Sequence, residues 1–159
     1  MPAPPPVRQA ASDRSALACL RMILASHGRS VTDAVLQAPA PIAPGGIPVS
    51  DLALLAGQFG LEAEIGTFNL AALTELLEAG TYPIVYLNRV HLDDRTIPRK
   101  LASRRCVVHA VVPTRLSSGF VWLNDPRSGT LRKVARKKFE AGRRDLSNWC
   151  IVCRRAGRG

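Results

Sequence analysis

Residues 106–134 read CVVHAVVPTRLSSGFVWLNDPRSGTLRKV. The stretch predicts three strands. Cys106 to Val112 is a continuous apolar run interrupted by one polar side chain, His109; Gly119 to Leu123 and Thr130 to Val134 are the next two. Short runs rich in β-branched and aromatic residues fit a pleated, buried surface. Between the last two, Asp125-Pro-Arg-Ser-Gly129 is turn chemistry, with a side-chain acceptor, a fixed φ and a final glycine.

Upstream the period changes. Ala16, Cys19, Leu20, Ile23 and Leu24 recur at helical spacing, with Ser12 or Asp13 as expected N-cap and Gly28 as the stop. Val31 to Leu36 predicts a short helix, and Ala38 to Pro48 a Pro/Gly loop. Ser50 is expected to cap a helix through Phe59, Glu62 to Phe68 to form a strand, and Asn69 to cap a helix from Leu70 to Ala79. Ile84 to Leu87 predicts a short strand, Arg89 to Arg105 an exposed basic loop or flap, Ala135 to Ala141 a short helix anchored by Phe139, and Asn148 to Cys153 a last strand. Helices first and strands later predict an α+β domain, its N-terminal helices packed to one side of a mainly antiparallel sheet. The expected organisation is a flexible leader over 1–6, a single domain over 7–153 and a basic tail over 154–159.

The chain has 159 residues, 47% hydrophobic and 21% charged, which suits one folded domain and excludes disorder. No apolar run approaches the roughly 18–20 residues of a membrane span. Met1 to Pro6 has neither a basic start nor an apolar core, so no signal peptide is expected and the cytoplasm is the expected compartment. The net charge is +10, unevenly spread. Residues 1–88 hold four arginines against seven acids, net −3; residues 89–159 hold eighteen lysines and arginines against five acids, net +13. A basic half points to an acidic partner, whether nucleic acid, anionic lipid or acidic peptide, or else to a plain solvated surface. With only 5% aromatic residues, no stacking platform for nucleic acid is visible.

Cys19, Cys106, Cys150 and Cys153 are too sparse for a disulfide framework. Cys150-Ile-Val-Cys153 has metal-like spacing, but on a strand residues three apart point to opposite faces. Buried structural cysteines are expected, with no metal and no cofactor.

Three polar side chains stand out by their setting. Ser15 opens the first helix, where the dipole and free N–H groups favour developing negative charge. His109 sits inside an apolar strand, and Asp125 ends the next one. A hydroxyl, an imidazole and a carboxylate in that order could form a nucleophile, a base and the group that fixes the base's tautomer. Gln9, six residues before Ser15, is a candidate oxyanion donor. Each has a plainer reading: Ser15 as a helix-start residue, His109 as a satisfied core histidine, Asp125 as the start of an Asp-Pro turn. His27, before a helix-stop glycine, and His91, in a polar loop, are expected to be exposed.

Taken together, Gln9, Ser15, Cys19-Leu20, Met22-Ile-Leu24 and Gly28 resemble the first motif of the bacteriocin-processing cysteine peptidases. These are the papain-like domains of bacterial peptide exporters that cut leader peptides after a double glycine. Ser50 to Gly60, Leu61-Glu-Ala-Glu64 and Asn69 to Leu77 resemble its second helix, strand and third helix. Tyr82-Pro-Ile-Val85, His109-Ala-Val-Val112, Val121-Trp-Leu-Asn-Asp-Pro126 with Gly129, and Phe139 follow in the family's order. The likeness covers roughly residues 7–153.

The resemblance implies a papain-like fold, with Gln9 as oxyanion donor, Ser15 at the nucleophile position, Ala16 beside it in contact with substrate, His109 as base and Asp125 as its orienter. It also implies a leader-peptide substrate and an exporter or biosynthetic partner. The chain departs from the pattern at the nucleophile, where the family has Cys. A hydroxyl cannot form the thiolate–imidazolium pair at neutral pH, so turnover is expected to be weak or absent. An engineered change, a natural relative kept for peptide binding, and a working serine hydrolase all fit a serine there. Ala16 replaces a frequent Gly, and the 89–105 stretch is longer than the family's usual link. The chain is expected to be either a stand-alone peptidase-like protein or a domain excised from an exporter. The competing readings are a non-catalytic peptide-binding module and a nucleic-acid-binding or effector domain. With +13 on the strand half and −3 on the helical half, an acidic leader peptide is a more economical partner than DNA.

Overall fold

The computed structural model describes residues 1–39, 41–92 and 106–157. The helices are α1 (Ser15–Ser26), α2 (Asp33–Gln37), α3 (Val49–Gln58), α4 (Leu70–Glu78) and α5 (Arg136–Asp145). The strands are β1 (Leu61–Thr67), β2 (Ile84–Asn88), β3 (Val108–Leu116), β4 (Phe120–Asp125), β5 (Thr130–Ala135) and β6 (Trp149–Arg155). Among the described residues they form one sheet in the order β1-β6-β2-β3-β4-β5, with every pairing antiparallel. The α+β class with a mainly antiparallel sheet is therefore correct.

The helices do not all lie on one side, as their order along the chain had suggested. Ile84, Tyr86, Ala110, Val112, Ile151 and Cys153 join a core with α1, α2 and α3. The alternate residues Val85, Leu87, Val111, Val121, Leu123, Cys150 and Val152 join a second core with Leu73 of α4 and Phe139 of α5. Successive strand side chains point to opposite faces. Strands buried at successive positions, such as β2 and the centre of β6, need cover on both faces.

Helix α1 is buried nearly all round, from Ala16 to Leu20 and from Met22 to Leu24. That pattern marks a helix enclosed by other elements rather than one lying on the surface. Each buried leucine contributes about 1.5–3 kcal/mol of transfer free energy, so Leu17, Leu20 and Leu24 fix α1 firmly on the sheet.

Two expected caps differ. Neither Ser12 nor Asp13 caps α1: Arg14 takes that position without a side-chain cap, and the Asp13 carboxylate instead accepts the N–H of Gly45 at 2.8 Å. Helix α3 starts at Val49 behind Pro48, so Ser50 falls inside its first turn. Asn69 does cap α4, accepting from Ala72 N–H at 2.8 Å. Strand β3 begins at Val108 rather than Cys106 and runs on through Pro113, where the pairing with β4 slips between Pro113 and Arg115. Proline has no N–H to give the ladder, which favours such a bulge.

The leader expected to hang free over 1–6 is tied down at Pro4. Pro4 is buried, and its carbonyl accepts the side-chain amide of buried Asn124 at 2.7 Å. Of the expected 89–105 flap, Arg89–His91 forms a 3-10 turn; residues 93–105 lie outside the described residues.

Candidate functional site

Four of the five residues singled out from sequence come together through short links. Ser15 is the first residue of α1, and its Oγ accepts the backbone N–H of Ala110 at 3.1 Å. That bond places the hydroxyl one peptide unit from His109 on β3. His109 Nε2 lies 2.8 Å from Asp125 Oδ1, with the two side chains only 4% and 1% exposed. A carboxylate only accepts hydrogen bonds, so Nε2 carries the proton of this bond and Nδ1 is the other face of the ring. Gln9 arrives by its backbone: its N–H donates to the carbonyl of Pro126 at 2.8 Å, directly after Asp125. Its side-chain amide donates to Ala11 O at 2.8 Å, while Oε1 is buried with no partner among the described residues. Ala16, the fifth, is buried within the α1 core.

The sheet explains the His–Asp pair. β3 and β4 are neighbours, with Val112 opposite Asn124, which brings the start of β3 beside the end of β4. Burial pushes the Asp125 carboxyl up. The hydrogen bond and charge of His109, the hydrogen bond of Arg132 and that of the Arg127 N–H outweigh it and hold the group well below the usual carboxylate range. Oδ2 accepts Arg132 Nη1 at 2.5 Å and Oδ1 accepts Arg127 N–H at 3.0 Å. Sequence reading missed Arg132 and Asn124. The hairpin register held a signal for the first: with Thr130 opposite Asp125, Arg132 falls diagonally across from it.

Cys19 is fully buried in the first core, its thiol pushed up by burial and then by the nearby Asp125 charge, so it faces away from any nucleophilic task. Cys150 and Cys153 do lie in opposite cores, both thiols pushed up to about 12 by burial. Among the described residues no three His, Cys, Asp or Glu side chains gather as metal ligands. His27 is buried rather than exposed, and Arg155 at the end of β6 donates to the His27 carbonyl at 3.0 Å. His91 is half-exposed, and its Nε2 meets the Asp145 carboxylate at 2.7 Å.

Two cavities lie outside the site's side chains, none of which lines either. One of about 460 Å³ is lined by Pro41, Ile42, Ile47, Leu54 and Leu55, in the loop that Arg14 holds through the carbonyls of Ile42 and Ala43. The other, about 400 Å³, is lined by Val49, Ile65, Tyr86, Val108, Leu146 and Trp149, beside His109 along β3. The Tyr86 hydroxyl points away from it into the core, toward Cys19 and Cys153, without a hydrogen-bond partner among the described residues. In the basic half, Arg115 stacks over Trp122 at 4.4 Å and Lys133 over Phe120 at 4.1 Å, so one face of each ring is covered by the chain's own cation.

The model of the peptidase C39 family matches residues 4–143, and the chain belongs to that family. Its fold is that of a double glycine motif protease from an AMS/PCAT transporter, solved in complex with the leader peptide: TM-score 0.71, 17% identity, covering 96% of this chain and 92% of that one. A C39-like peptidase from Bacillus anthracis gives TM-score 0.74 at 17% identity, covering 97% and 96%. The peptidase domain of Streptococcus ComA, a bi-functional ABC transporter of a quorum sensing pathway, gives 0.70 at 15% identity, covering 94% and 97%. No curated protein matches the sequence. Among the described residues no helix is long and apolar enough to cross a membrane.

Proposed function

We propose that the chain is a leader-peptide-binding C39 domain whose catalytic frame is intact except at the nucleophile. The observation that carries this reading is the buried His109–Asp125 pair together with the Ser15 hydroxyl, which is tied to the peptide N–H next to His109. With a thiol at position 15, His109 Nδ1 would hold the thiolate proton, and Asp125 would fix the ring and balance the imidazolium. The thiolate would attack the carbonyl after the second glycine. The oxyanion would rest against the first N–H groups of α1 and the Gln9 amide, whose second hydrogen remains after the bond to Ala11.

The hydroxyl changes this balance. Serine ionises far above a thiol, so Ser15 attacks only as His109 removes its proton in the same step. Its Oγ also accepts the Ala110 N–H at 3.1 Å, which ties up one of its two lone pairs. Cleavage by the chain as it stands is therefore weak or absent, while peptide recognition is kept. The two cavities would take apolar leader side chains. The basic strand half would draw an acidic leader, presented in the cytoplasm by an exporter or biosynthetic partner. Ala16 is buried, which limits any contact of its side chain with substrate.

The test is Ser15→Cys with a double-glycine leader peptide. The variant is expected to cleave after the second glycine and to be alkylated at the new thiol; His109→Ala in that background should abolish both. No cleavage and no alkylation would remove the catalytic frame. If the peptide still bound, with His109→Ala also binding it, the non-catalytic peptide module would replace this reading.

A further inference from the structure

Asp125 makes more bonds than a histidine partner requires. Oδ1 serves both His109 and the Arg127 N–H, and Oδ2 accepts Arg132 Nη1 at 2.5 Å. The Arg132 side chain is 30% exposed and the Asp125 side chain 1%, so the guanidinium reaches inward from the rim. The β4–β5 register arranges this: Leu123 pairs with Arg132 and Asp125 with Thr130. Diagonal neighbours on one face of an antiparallel pair are within reach of a long side chain.

We propose that Arg132 is a positioning residue that keeps Asp125 ionised and aimed, so that His109 is held as the Nε2–H tautomer with Nδ1 turned toward position 15. This rests on the reading of the site given above. A buried carboxylate facing a neutral imidazole has only dipoles to stabilise its charge, and burial favours the protonated acid. A protonated Asp125 could donate to the ring and reverse the tautomer. The Arg132 cation removes that option. It also occupies Oδ2, so the carboxylate cannot turn its second oxygen to the ring. Besides His109 and Arg132, the described groups acting on Asp125 are the Arg127 N–H from the turn and the Cys19 thiol from α1.

The test needs no catalysis. Long-range proton–nitrogen spectra of the chain, with nitrogen-15 histidine and Ser15 in place, should show His109 as one Nε2–H tautomer with a strongly downfield ring proton. Arg132→Met should give a tautomer mixture and lose that proton signal, while Arg132→Lys should keep the native pattern. His91, bonded to Asp145, serves as the unmoved control. If Arg132→Met does not fold, Arg132→Gln is read instead, with the same loss expected. Unchanged His109 signals in the folded variant, or mixed tautomers in the native chain, overturn the assignment. Failure of Ser15→Cys to cleave peptide, with the His109 signals moving as stated, would sink the catalytic reading and leave Arg132 in its role.

Discussion

A methyl group on Gly129 would stand 2.7 Å from Cβ of Arg8 and 3.2 Å from its Cα. The β4–β5 turn and the N-terminal segment therefore press against each other at the point where Gln9 is held. Gly129 has φ +67°, and its N–H closes the turn onto the Asp125 carbonyl at 2.8 Å. One glycine thus shapes the turn that follows Asp125 and leaves room for the segment that carries Gln9.

Gly129→Ala should destabilise the fold by about 1–3 kcal/mol, from the left-handed backbone and the displaced Arg8 together. Urea unfolding measures this. In the Ser15→Cys background the same change should lower kcat more than it raises KM, because Gln9 shifts while the cavities do not. An unfolding midpoint equal to the parent's would refute the packing argument.

The Asp125 carboxyl is held below the usual range in the folded state, which sets an acid dependence. A depressed folded value contributes stability that is complete above the unfolded carboxyl near 4. That stability is lost as pH falls from there toward the folded value. Asp125→Asn should flatten the fall in unfolding midpoint below about pH 4, while lowering the midpoint at neutral pH because Arg132 and His109 lose their partner.

His27 has the opposite charge type. Burial, then Arg155 and the amino terminus, pushes its imidazole down, so the folded state prefers the neutral ring. The unfolded chain takes up the proton first. The stability from neutral His27 is therefore complete above the unfolded value of about 6.5 and falls as pH drops through and below it. His27→Phe should remove that slope between about pH 7 and pH 5 in urea titrations. An unchanged slope would show that the ring is solvated in solution.

The thiols give a count that can be read in one experiment. Cys106 is exposed, whereas Cys19, Cys150 and Cys153 are buried. A disulfide reagent should titrate one thiol quickly in the folded chain and the other three only on unfolding. Ser15→Cys should add a second fast thiol, more reactive than Cys106 if His109 lies beside it.

Local pattern made much of this legible. Asn69, Leu70, Leu73 and Leu76 announce α4 and its cap, because a cap and a helical stripe are properties of consecutive residues. The motif order from Gln9 through Gly129 carried the family and the α+β class. Asp13 and Ser50 were misread as caps because their sequence setting suits one. Asp13 is instead drawn to Gly45, 32 residues away, and a chain entering α3 through Pro48 starts the helix two residues earlier.

Sequence alone determined the helices, the strands, the opposite placement of Cys150 and Cys153, and the candidate set of Gln9, Ser15, His109 and Asp125. Periodicity and residue chemistry are read along the chain, and those properties live there. Tertiary structure decided the rest. It put α4 and α5 on the far face of the sheet, buried His27, tied Pro4 to Asn124, and brought Arg132 to Asp125. These are contacts between residues distant in the chain or diagonal across a hairpin. Their partners are chosen by register and by which surfaces need covering, and neither is written in a local stretch of sequence.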